Sequence, residues 1–184
     1  MERTLIIVKP HAVERGLAGT FLERFERMGL RIVAIRTVEE SAAFWEKFYP
    51  SDAKWFSNVA SKALENYERN GIDVRKELGT ADPAKIGRLI KDWLIDHMKS
   101  GASIAAVLEG NEALQKVRTA CGATLPNKAI PGTIRFDYSA DSPTPATAAK
   151  RPVFNLIHSS DPDEARGKAS AAQYEIELVF PKLA

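Results

Sequence analysis

The run Leu5-Ile6-Ile7-Val8 limits most strongly how this chain can fold. Four consecutive apolar residues, three of them β-branched, stand before Lys9-Pro10 and predict a strand that is buried on both faces. Apolar residues then recur at helical spacing from Phe21 to Met28, Gly29 ends that pattern, and residues 32–35 form a second strand-like run. The first 37 residues therefore predict a strand, a helix and a strand with short connections, so that neighbouring elements pack together.

The later part of the chain predicts two more strands. Residues 103–108 form a third apolar run, and the alternating side chains of Tyr174 to Phe180 predict a fourth strand. Asp161-Pro162 predicts a helix start, since Asp is a common N-cap residue and Pro fits the first helical turn. Helical patterns fill most of residues 41–98. This order favours an antiparallel sheet with helices packed on one face, the split βαβ type.

Length and composition favour a globular protein. The 184 residues are enough for a core of their own, and we predict a single domain over residues 1–184. A net charge of +2 is too small to indicate a nucleic-acid partner. No apolar run approaches the roughly 18 residues that cross a bilayer, and the N-terminus shows no signal-peptide pattern, so we expect a cytoplasmic protein without a membrane partner. A single cysteine and three widely spaced histidines argue against a disulfide and against a metal site.

His158 is the candidate reactive group. It follows a short apolar run and precedes Ser159-Ser160 and the predicted helix start at Asp161-Pro162. Because the unperturbed pKa of histidine is about 6.5, the side chain can act as a nucleophile or as an acid–base group near neutral pH. The two serines and the predicted helix N-terminus would supply hydrogen-bond donors to an oxyanion. The alternative interpretation is a structural histidine at a strand end. Candidate phosphate-binding residues elsewhere in the chain would favour the reactive role.

Three cationic side chains near predicted element ends favour a phosphate site. Lys9, Arg118 and Arg135 stand at such ends, and Thr124 and Asn155 would add uncharged hydrogen bonds. An arginine binds phosphate oxygens in pairs, and a lysine acts as a point charge. Together with a histidine, these groups are what phosphoryl transfer through a phosphohistidine requires. The alternative is that they are scattered surface charges, and no P-loop motif is present to decide between the two.

Seven segments, in order along the chain, resemble the nucleoside diphosphate kinase family, and with the elements between them they cover most of the sequence. These segments are Arg3–Pro10, Glu14–Gly19, Arg24–Leu30, Val107–Gly110, Gly122–Thr124, Pro131–Arg135 and Asn155–Asp161.

The resemblance implies an α/β (α+β) subunit with a ferredoxin-like antiparallel four-stranded sheet and helices packed around it. It also implies a ping-pong kinase that moves the terminal phosphate of a nucleoside triphosphate, with ATP as the expected donor, to a nucleoside diphosphate. Mg²⁺ would be the cofactor, held mainly by the nucleotide phosphates rather than by protein ligands. The subunit would form a homo-oligomer, either a hexamer or a tetramer.

The resemblance further assigns the catalytic side chains. His158 would be the phosphorylated nucleophile, and Lys9 would offset charge on the transferred group. Ser160 and an acidic residue would orient the imidazole, and Glu175 is the best candidate for that acid. A carboxylate on one ring nitrogen would determine the tautomer and leave the other nitrogen to attack.

The family's nucleotide-binding residues also have counterparts here. Charged and polar groups would hold the phosphates and ribose, Tyr49 matches the family's tyrosine near the site, and Phe56 is a candidate for contact with the base. These residues are Lys9, Tyr49, Phe56, Arg118, Thr124, Arg135 and Asn155. For the base itself two alternatives stay open: Trp55, Phe56 and Val59, which we favour slightly, or the later stripe Leu89, Ile90 and Trp93.

The chain departs from the family pattern at several positions. Lys9-Pro10 is followed by His11-Ala12 instead of Asp-Gly, Ser159 replaces a Gly or Ala, and Phe136 replaces the glycine after Arg135. Insertions are predicted at about residues 65–100 and 139–150, the second as an exposed segment with little regular structure. These departures keep an alternative open, a nucleotide-binding regulatory relative with impaired turnover. A module that binds single-stranded nucleic acid is a third possibility, and the aliphatic strands argue against it.

Overall fold

The computed structural model describes residues 1–183, which form two compact units. Unit 1 comprises residues 1–39 and 101–140 and the C-terminal part of the chain from Asn155. Unit 2 comprises residues 40–100 and 141–154. Among the described residues, none of the helices combines the length and the apolar character that crossing a membrane requires.

Unit 1 is built on a four-stranded antiparallel sheet in the order β2-β3-β1-β4. The strands are β1 (Glu2–Val8), β2 (Arg31–Val38), β3 (Ser103–Gly110) and β4 (Ile157–Ser159). β1 lies between β3 and β4, and its residues 5–8 have no solvent exposure, so the predicted burial on both faces is confirmed. Ile7 and His158 are directly opposed across β1 and β4, and their side chains therefore point to the same face of the sheet.

Helices and short elements complete unit 1. Their bounds are α1 (Pro10–Glu14), α2 (Ala18–Arg27), α7 (Ala113–Cys121), a 3-10 turn (Pro126–Lys128), α8 (Ile134–Tyr138), the hairpin strands β5 (Ala165–Arg166) and β6 (Ala169–Ser170), and α10 (Ala171–Val179). Phe21 and Phe25 of α2 and Val117 of α7 pack with Ile6 and Leu108 of the sheet into one apolar core. The predicted ferredoxin-like fold with helices around the sheet is confirmed.

The predicted strand at residues 174–180 is wrong, because residues 174–179 belong to α10 and Phe180 is its C-cap. Ala172, Glu175, Ile176 and Val179 are buried at three- and four-residue spacing, which is a helical pattern. Seven residues are too few to separate that pattern from alternation by sequence alone. The fourth strand of the sheet is β4 instead, and it contains His158.

The predicted helix start at Asp161-Pro162 is also wrong. Asp161 Oδ1 accepts a hydrogen bond from the backbone N–H of Asp163 at 3.0 Å, which closes a local turn. The β5–β6 hairpin follows, and the helix begins only after Ser170, whose Oγ accepts from the backbone N–H of Gln173. The local turn and the hairpin therefore replace the helix that the Asp-Pro pair predicted.

Unit 2 is helical and contains α3 (Ala42–Phe48), α4 (Ala53–Arg69), α5 (Val74–Leu78), α6 (Pro83–Met98) and α9 (Pro143–Ala148). The expectation of little regular structure at residues 139–150 is wrong, since α9 forms there and Ala146 is buried. Asp141 stabilises this segment, because it pairs with Arg151 at 2.6 Å and accepts the backbone N–H of Phe154 at 2.6 Å.

Helices α4 and α6 approach each other closely at Gly87. A Cβ atom at this position would lie 2.6 Å from the backbone oxygen of Phe56, well inside van der Waals contact. Backbone atoms cannot yield as the end of a flexible side chain can. Gly87 is therefore required by packing.

We expect Gly87→Ala to lower the free energy of unfolding by about 1–3 kcal/mol, because α4 has to move away from α6. Gly19→Ala is the matched control, since a Cβ there contacts none of the described residues within 4 Å. This control should raise stability by up to about 1 kcal/mol through helix propensity. Urea unfolding followed by circular dichroism measures both, and equal effects of the two substitutions would contradict the packing argument.

Candidate active site

His158 is held by a buried carboxylate from α10. Its Nε2 atom lies 2.9 Å from Oε2 of Glu175, a residue only 3% exposed, whereas about a fifth of the His158 side chain is accessible. The hydroxyl of Ser160 donates to the same carboxylate oxygen at 2.6 Å and accepts the backbone N–H of Leu5 at 3.2 Å. An ionised Glu175 accepts the Nε2–H of the neutral imidazole, so the lone pair of the ring is then on Nδ1.

Lys9 and Asn155 form a second, buried part of the site. The Lys9 ammonium at the end of β1 donates to Oδ1 of Asn155 at 2.7 Å. Nδ2 of Asn155 in turn donates to the backbone oxygen of Thr124 at 3.0 Å, so Thr124 enters the network through its backbone. This chain of hydrogen bonds brings together three segments that are distant in sequence.

Arg135 at the start of α8 ties the same segments together. Its guanidinium donates to three backbone oxygens, those of Gly122 at 2.6 Å, Ile157 at 2.7 Å and Asn155 at 3.2 Å. Since Ile157 directly precedes His158, this contact stabilises the strand end that presents the imidazole. Gly122 has a φ of +81°, and a Cβ there would lie 2.5 Å from Oγ1 of Thr133, so only glycine fits.

Two buried positive charges therefore lie close together. Lys9 and Arg135 are 5% and 2% exposed, and within residues 1–183 neither is paired with a carboxylate. Burial, together with the positive charge of Arg135, lowers the pKa of Lys9 from 10.5 to about 7. Burial also lowers the pKa of Arg135, to about 10. Buried cations without an acidic partner are costly, and their presence indicates an anionic ligand.

Arg118 lies in the last turn of α7 and is more accessible. One guanidinium nitrogen lies 3.2 Å from the backbone oxygen of Ser159, and the other pairs with Oδ2 of Asp161 at 2.8 Å. Arg118 and Thr124 also line an open cleft of about 400 Å³, together with Lys128. Arg118 thus lies next to Ser159, the residue that follows His158, and its ion-pair partner is the carboxylate of Asp161.

Two residues that sequence reasoning did not assign also belong to this neighbourhood. His11 is nearly buried, and its Nε2 accepts the backbone N–H of Leu156 at 3.2 Å, which helps to hold the segment before His158. Glu164 lies in the turn after His158, where burial and the nearby charge of Glu175 raise its pKa. The signal for His11 was present in the sequence as a departure from the family pattern after Lys9-Pro10. Phe136, another departure, is 46% exposed.

Tyr49 and Phe56 lie in unit 2 and are described within it. Tyr49 directly follows α3, is 8% exposed, and its ring centroid lies 6.4 Å from that of Trp55. Phe56 lies in the first turn of α4, where Asp52 caps the helix by accepting the backbone N–H of Trp55. Their proposed contact with the nucleotide stays a prediction.

A histidine held by a buried carboxylate, near two buried cations, has the parts that phosphoryl transfer through a histidine requires. Unit 1 presents these parts on a ferredoxin-like sheet without a glycine-rich phosphate loop. The fold and the site together indicate a phosphotransferase that works through a histidine.

Comparisons with known proteins agree with this class. The sequence model of the nucleoside diphosphate kinase family matches residues 2–65 and 84–184. A curated nucleoside diphosphate kinase of Pyrobaculum aerophilum is 49% identical over 166 residues, covering 90% of this chain and 91% of that protein. The protein of the same name from Methanocaldococcus jannaschii is 34% identical over 179 residues, 97% of this chain and 93% of its own length. The chain belongs to the nucleoside diphosphate kinase family.

Solved structures support the same conclusion. A crystal structure of an NDP kinase from Pyrobaculum aerophilum matches with a TM-score of 0.90 at 45% identity, over 97% of this chain and 95% of that one. A Borrelia burgdorferi nucleoside-diphosphate kinase, described as a transition-state mimic with bound vanadate and ADP, matches with a TM-score of 0.70 at 29% identity, over 97% and 86%. The predicted function, an enzyme that binds nucleotides and acts as a nucleoside diphosphate kinase, is confirmed at the level of the family, and the regulatory alternative gains no support.

The burial of Lys9 leads to a stability prediction. Its pKa is lower in the folded than in the unfolded chain, so the unfolded state binds more protons between about pH 7 and 10.5. Wild-type stability therefore gains about 1 kcal/mol for each pH unit above 7 from this residue alone. We expect Lys9→Met to stabilise the protein without nucleotide most at pH 6.5 and progressively less towards pH 9.

Urea unfolding at several pH values measures this difference between variant and wild type. Lys168→Met, which changes an exposed lysine of the β5–β6 turn, is the matched control and should show no such trend. A constant difference between Lys9→Met and wild type across the pH range would contradict the buried, partly neutral state of Lys9.

Proposed function

We propose that His158 carries the phosphoryl group in a two-step transfer between nucleotides. The observation that carries this proposal is the hydrogen bond between Nε2 of His158 and the buried carboxylate of Glu175. It favours the tautomer with the lone pair on Nδ1, which makes that atom the nucleophile. The carboxylate also offsets the positive charge that the imidazole acquires once it is phosphorylated.

In the first step, Nδ1 of His158 attacks the terminal phosphorus of a nucleoside triphosphate. The new N–P bond forms as the bond from that phosphorus to the bridging oxygen breaks, and the nucleoside diphosphate leaves with the electron pair. In the second step, a terminal oxygen of another nucleoside diphosphate attacks the same phosphorus. The N–P bond breaks, and the neutral imidazole is restored, which gives ping-pong kinetics.

The cations of unit 1 would hold the phosphates during both steps. Lys9 and Arg135 supply buried positive charge near the start of β4, where a low-dielectric surrounding strengthens their attraction for phosphate oxygens. We assign Arg118 and Thr124 to the remaining phosphate oxygens, and Asn155 to the ribose and phosphate side. Arg118 would exchange its ion pair with Asp161 for a phosphate when nucleotide binds.

Mg²⁺ belongs to the proposal as the cofactor that the nucleotide brings. The phosphate site presents cations and an amide, so the oxygen ligands of the ion would come mainly from the nucleotide. When bound, Mg²⁺ would neutralise part of the negative charge of the nucleotide phosphates. Lys9 and Arg135 would offset the charge that develops on the transferred group.

Three further points of the proposal extend beyond the geometry of unit 1. We propose ATP as the phosphoryl donor and the cytoplasm, where nucleoside triphosphates are abundant, as the location. We also propose a homo-oligomer, hexamer or tetramer. The support for this assembly is the resemblance to the nucleoside diphosphate kinase family, which implies a hexamer or a tetramer. Light scattering measures the number of subunits.

Transfer of label from γ-labelled ATP tests the proposed nucleophile. We expect wild-type protein with Mg²⁺ to acquire label that is acid-labile and base-stable, as a phosphohistidine is, and to release it when a nucleoside diphosphate is added. His158→Ala should acquire none. Label that persists in His158→Ala, or ATP binding without label in wild type, would overturn the proposal.

The role of Glu175 yields a separate prediction. Glu175→Gln keeps the shape of the side chain but removes the negative charge, so it should lower the rate of His158 phosphorylation at least about 100-fold. Glu177→Gln makes the same change on the exposed face of α10 and should leave the rate unchanged. Rapid-quench labelling measures both rates, and similar rates for the two variants would show that Glu175 does not assist the histidine.

A further inference from the structure

Lys91 of α6 is a buried lysine in unit 2 that the proposed chemistry does not use. Its side chain is fully buried, and its ammonium lies within hydrogen-bonding distance of four oxygens. These are Oε1 of Glu46 at 2.8 Å, the backbone oxygen of Glu46 at 2.9 Å, the backbone oxygen of Tyr49 at 3.1 Å and Oγ of Ser51 at 2.5 Å. All four belong to the end of α3 and the segment that leads into α4.

This arrangement explains why a charge is tolerated in the interior of unit 2. The last carbonyl groups of a helix have no partners within the helix, and a positive charge near them is favourable. Lys91 satisfies two such carbonyls, and Glu46 supplies the opposite charge. The backbone of Tyr49 is therefore held by a side chain 42 residues further along the chain.

Gly87 contacts the same region one helical turn earlier. Residues 87 and 91 lie four apart and share one face of α6. Gly87 lets the backbone of Phe56 approach α6, and Lys91 holds the backbone of Tyr49. One face of α6 thus contacts the backbone of both aromatic residues assigned to nucleotide binding.

We propose that Lys91 is a positioning residue for nucleotide binding, acting through the backbone of Tyr49 and the corner formed by residues 49–52. The inference rests on the proposed role of Tyr49 at the nucleotide. It holds equally if the base instead contacts Leu89, Ile90 and Trp93, because Lys91 ties that helix to Tyr49. Lys91 acts on recognition of the nucleoside and leaves the chemistry of His158 unchanged.

Labelling of His158 with two different phosphoryl donors distinguishes an effect on nucleoside binding from an effect on the transfer step. ATP requires the nucleoside contacts, whereas phosphoramidate, a donor without a nucleoside, transfers its phosphoryl group to an imidazole with release of ammonia. In Lys91→Met we expect the KM for ATP in His158 labelling to rise about tenfold, because this variant removes all four contacts that hold the end of α3 and the segment leading into α4. The maximal rate with ATP and the rate with phosphoramidate should stay within about twofold of wild type.

Two further variants complete the experiment. Lys85→Met removes an exposed lysine from the same helix and should change neither donor's kinetics. Ser51→Ala removes only the shortest of the four contacts, so it should raise the KM for ATP by a smaller factor and keeps the test available if Lys91→Met does not fold.

The possible results distinguish this inference from the proposed function. Wild-type protein without label from ATP would overturn the proposed function, and this inference with it. Labelled wild type with an unchanged KM for ATP in folded Lys91→Met and in Ser51→Ala would overturn this inference alone. A parallel loss of labelling by both donors would show a general structural role for Lys91 and would overturn the positioning role too.

Discussion

The burial of Lys9 and Arg135 without an acidic partner in the described part of the chain is the constraint on which the rest of unit 1 depends. Their charges are accommodated by oxygens of the polypeptide: the amide of Asn155 for Lys9 and three backbone carbonyls for Arg135. These oxygens come from two segments that are distant in sequence, one at Gly122 and one at residues 155–157, and both have to be held in place. The requirement explains why Gly122, Asn155 and Ile157 converge around one guanidinium, although up to 35 residues separate them in sequence.

The two buried cations lower the free energy of unfolding of the protein without ligand. The same charges favour the binding of an anion. Hydrogen bonds to neutral oxygens compensate a buried ammonium only partly, and the lowered pKa of Lys9 expresses the remaining cost. A phosphate would supply the missing negative charge. The apolar core formed by β1, α2 and α7 supplies the stability that offsets this cost. Lys9 directly follows residues 5–8 of β1, which have no solvent exposure, so the core also determines where its ammonium lies.

Each unit contains a buried lysine, and the two units compensate its charge with different partners. In unit 1 buried cations meet neutral oxygens and retain attraction for an anion, whereas in unit 2 Lys91 meets the carboxylate of Glu46 together with carbonyls. Lys91 is therefore compensated within the chain and serves the position of the segment around Tyr49. The charge of a buried lysine is thus compensated within the chain in unit 2 and only partly compensated in unit 1, and its partners decide which.

Much of unit 1 was determined by the sequence alone. The run at residues 5–8, the helix that Gly29 ends and the motifs around His158 depend on neighbours in sequence, and local patterns describe such neighbours well. The identity of the residues in the site could be predicted because the motifs recur in one family. Which carboxylate meets His158 could be named as Glu175 only by that resemblance.

Tertiary structure decided the rest. Residues 174–179 belong to helix α10, and only the packing of α10 against the sheet shows which of its side chains are buried. The local turn at Asp161 has a long-range partner in the guanidinium of Arg118, and Thr144 of α9 accepts a hydrogen bond from the side chain of Asn66 in α4, contacts that no local pattern contains. The charge state of Lys9 and the support given by Lys91 arise from burial and from partners tens of residues away. Local sequence specifies propensity, whereas burial and long-range partners exist only once the chain has folded.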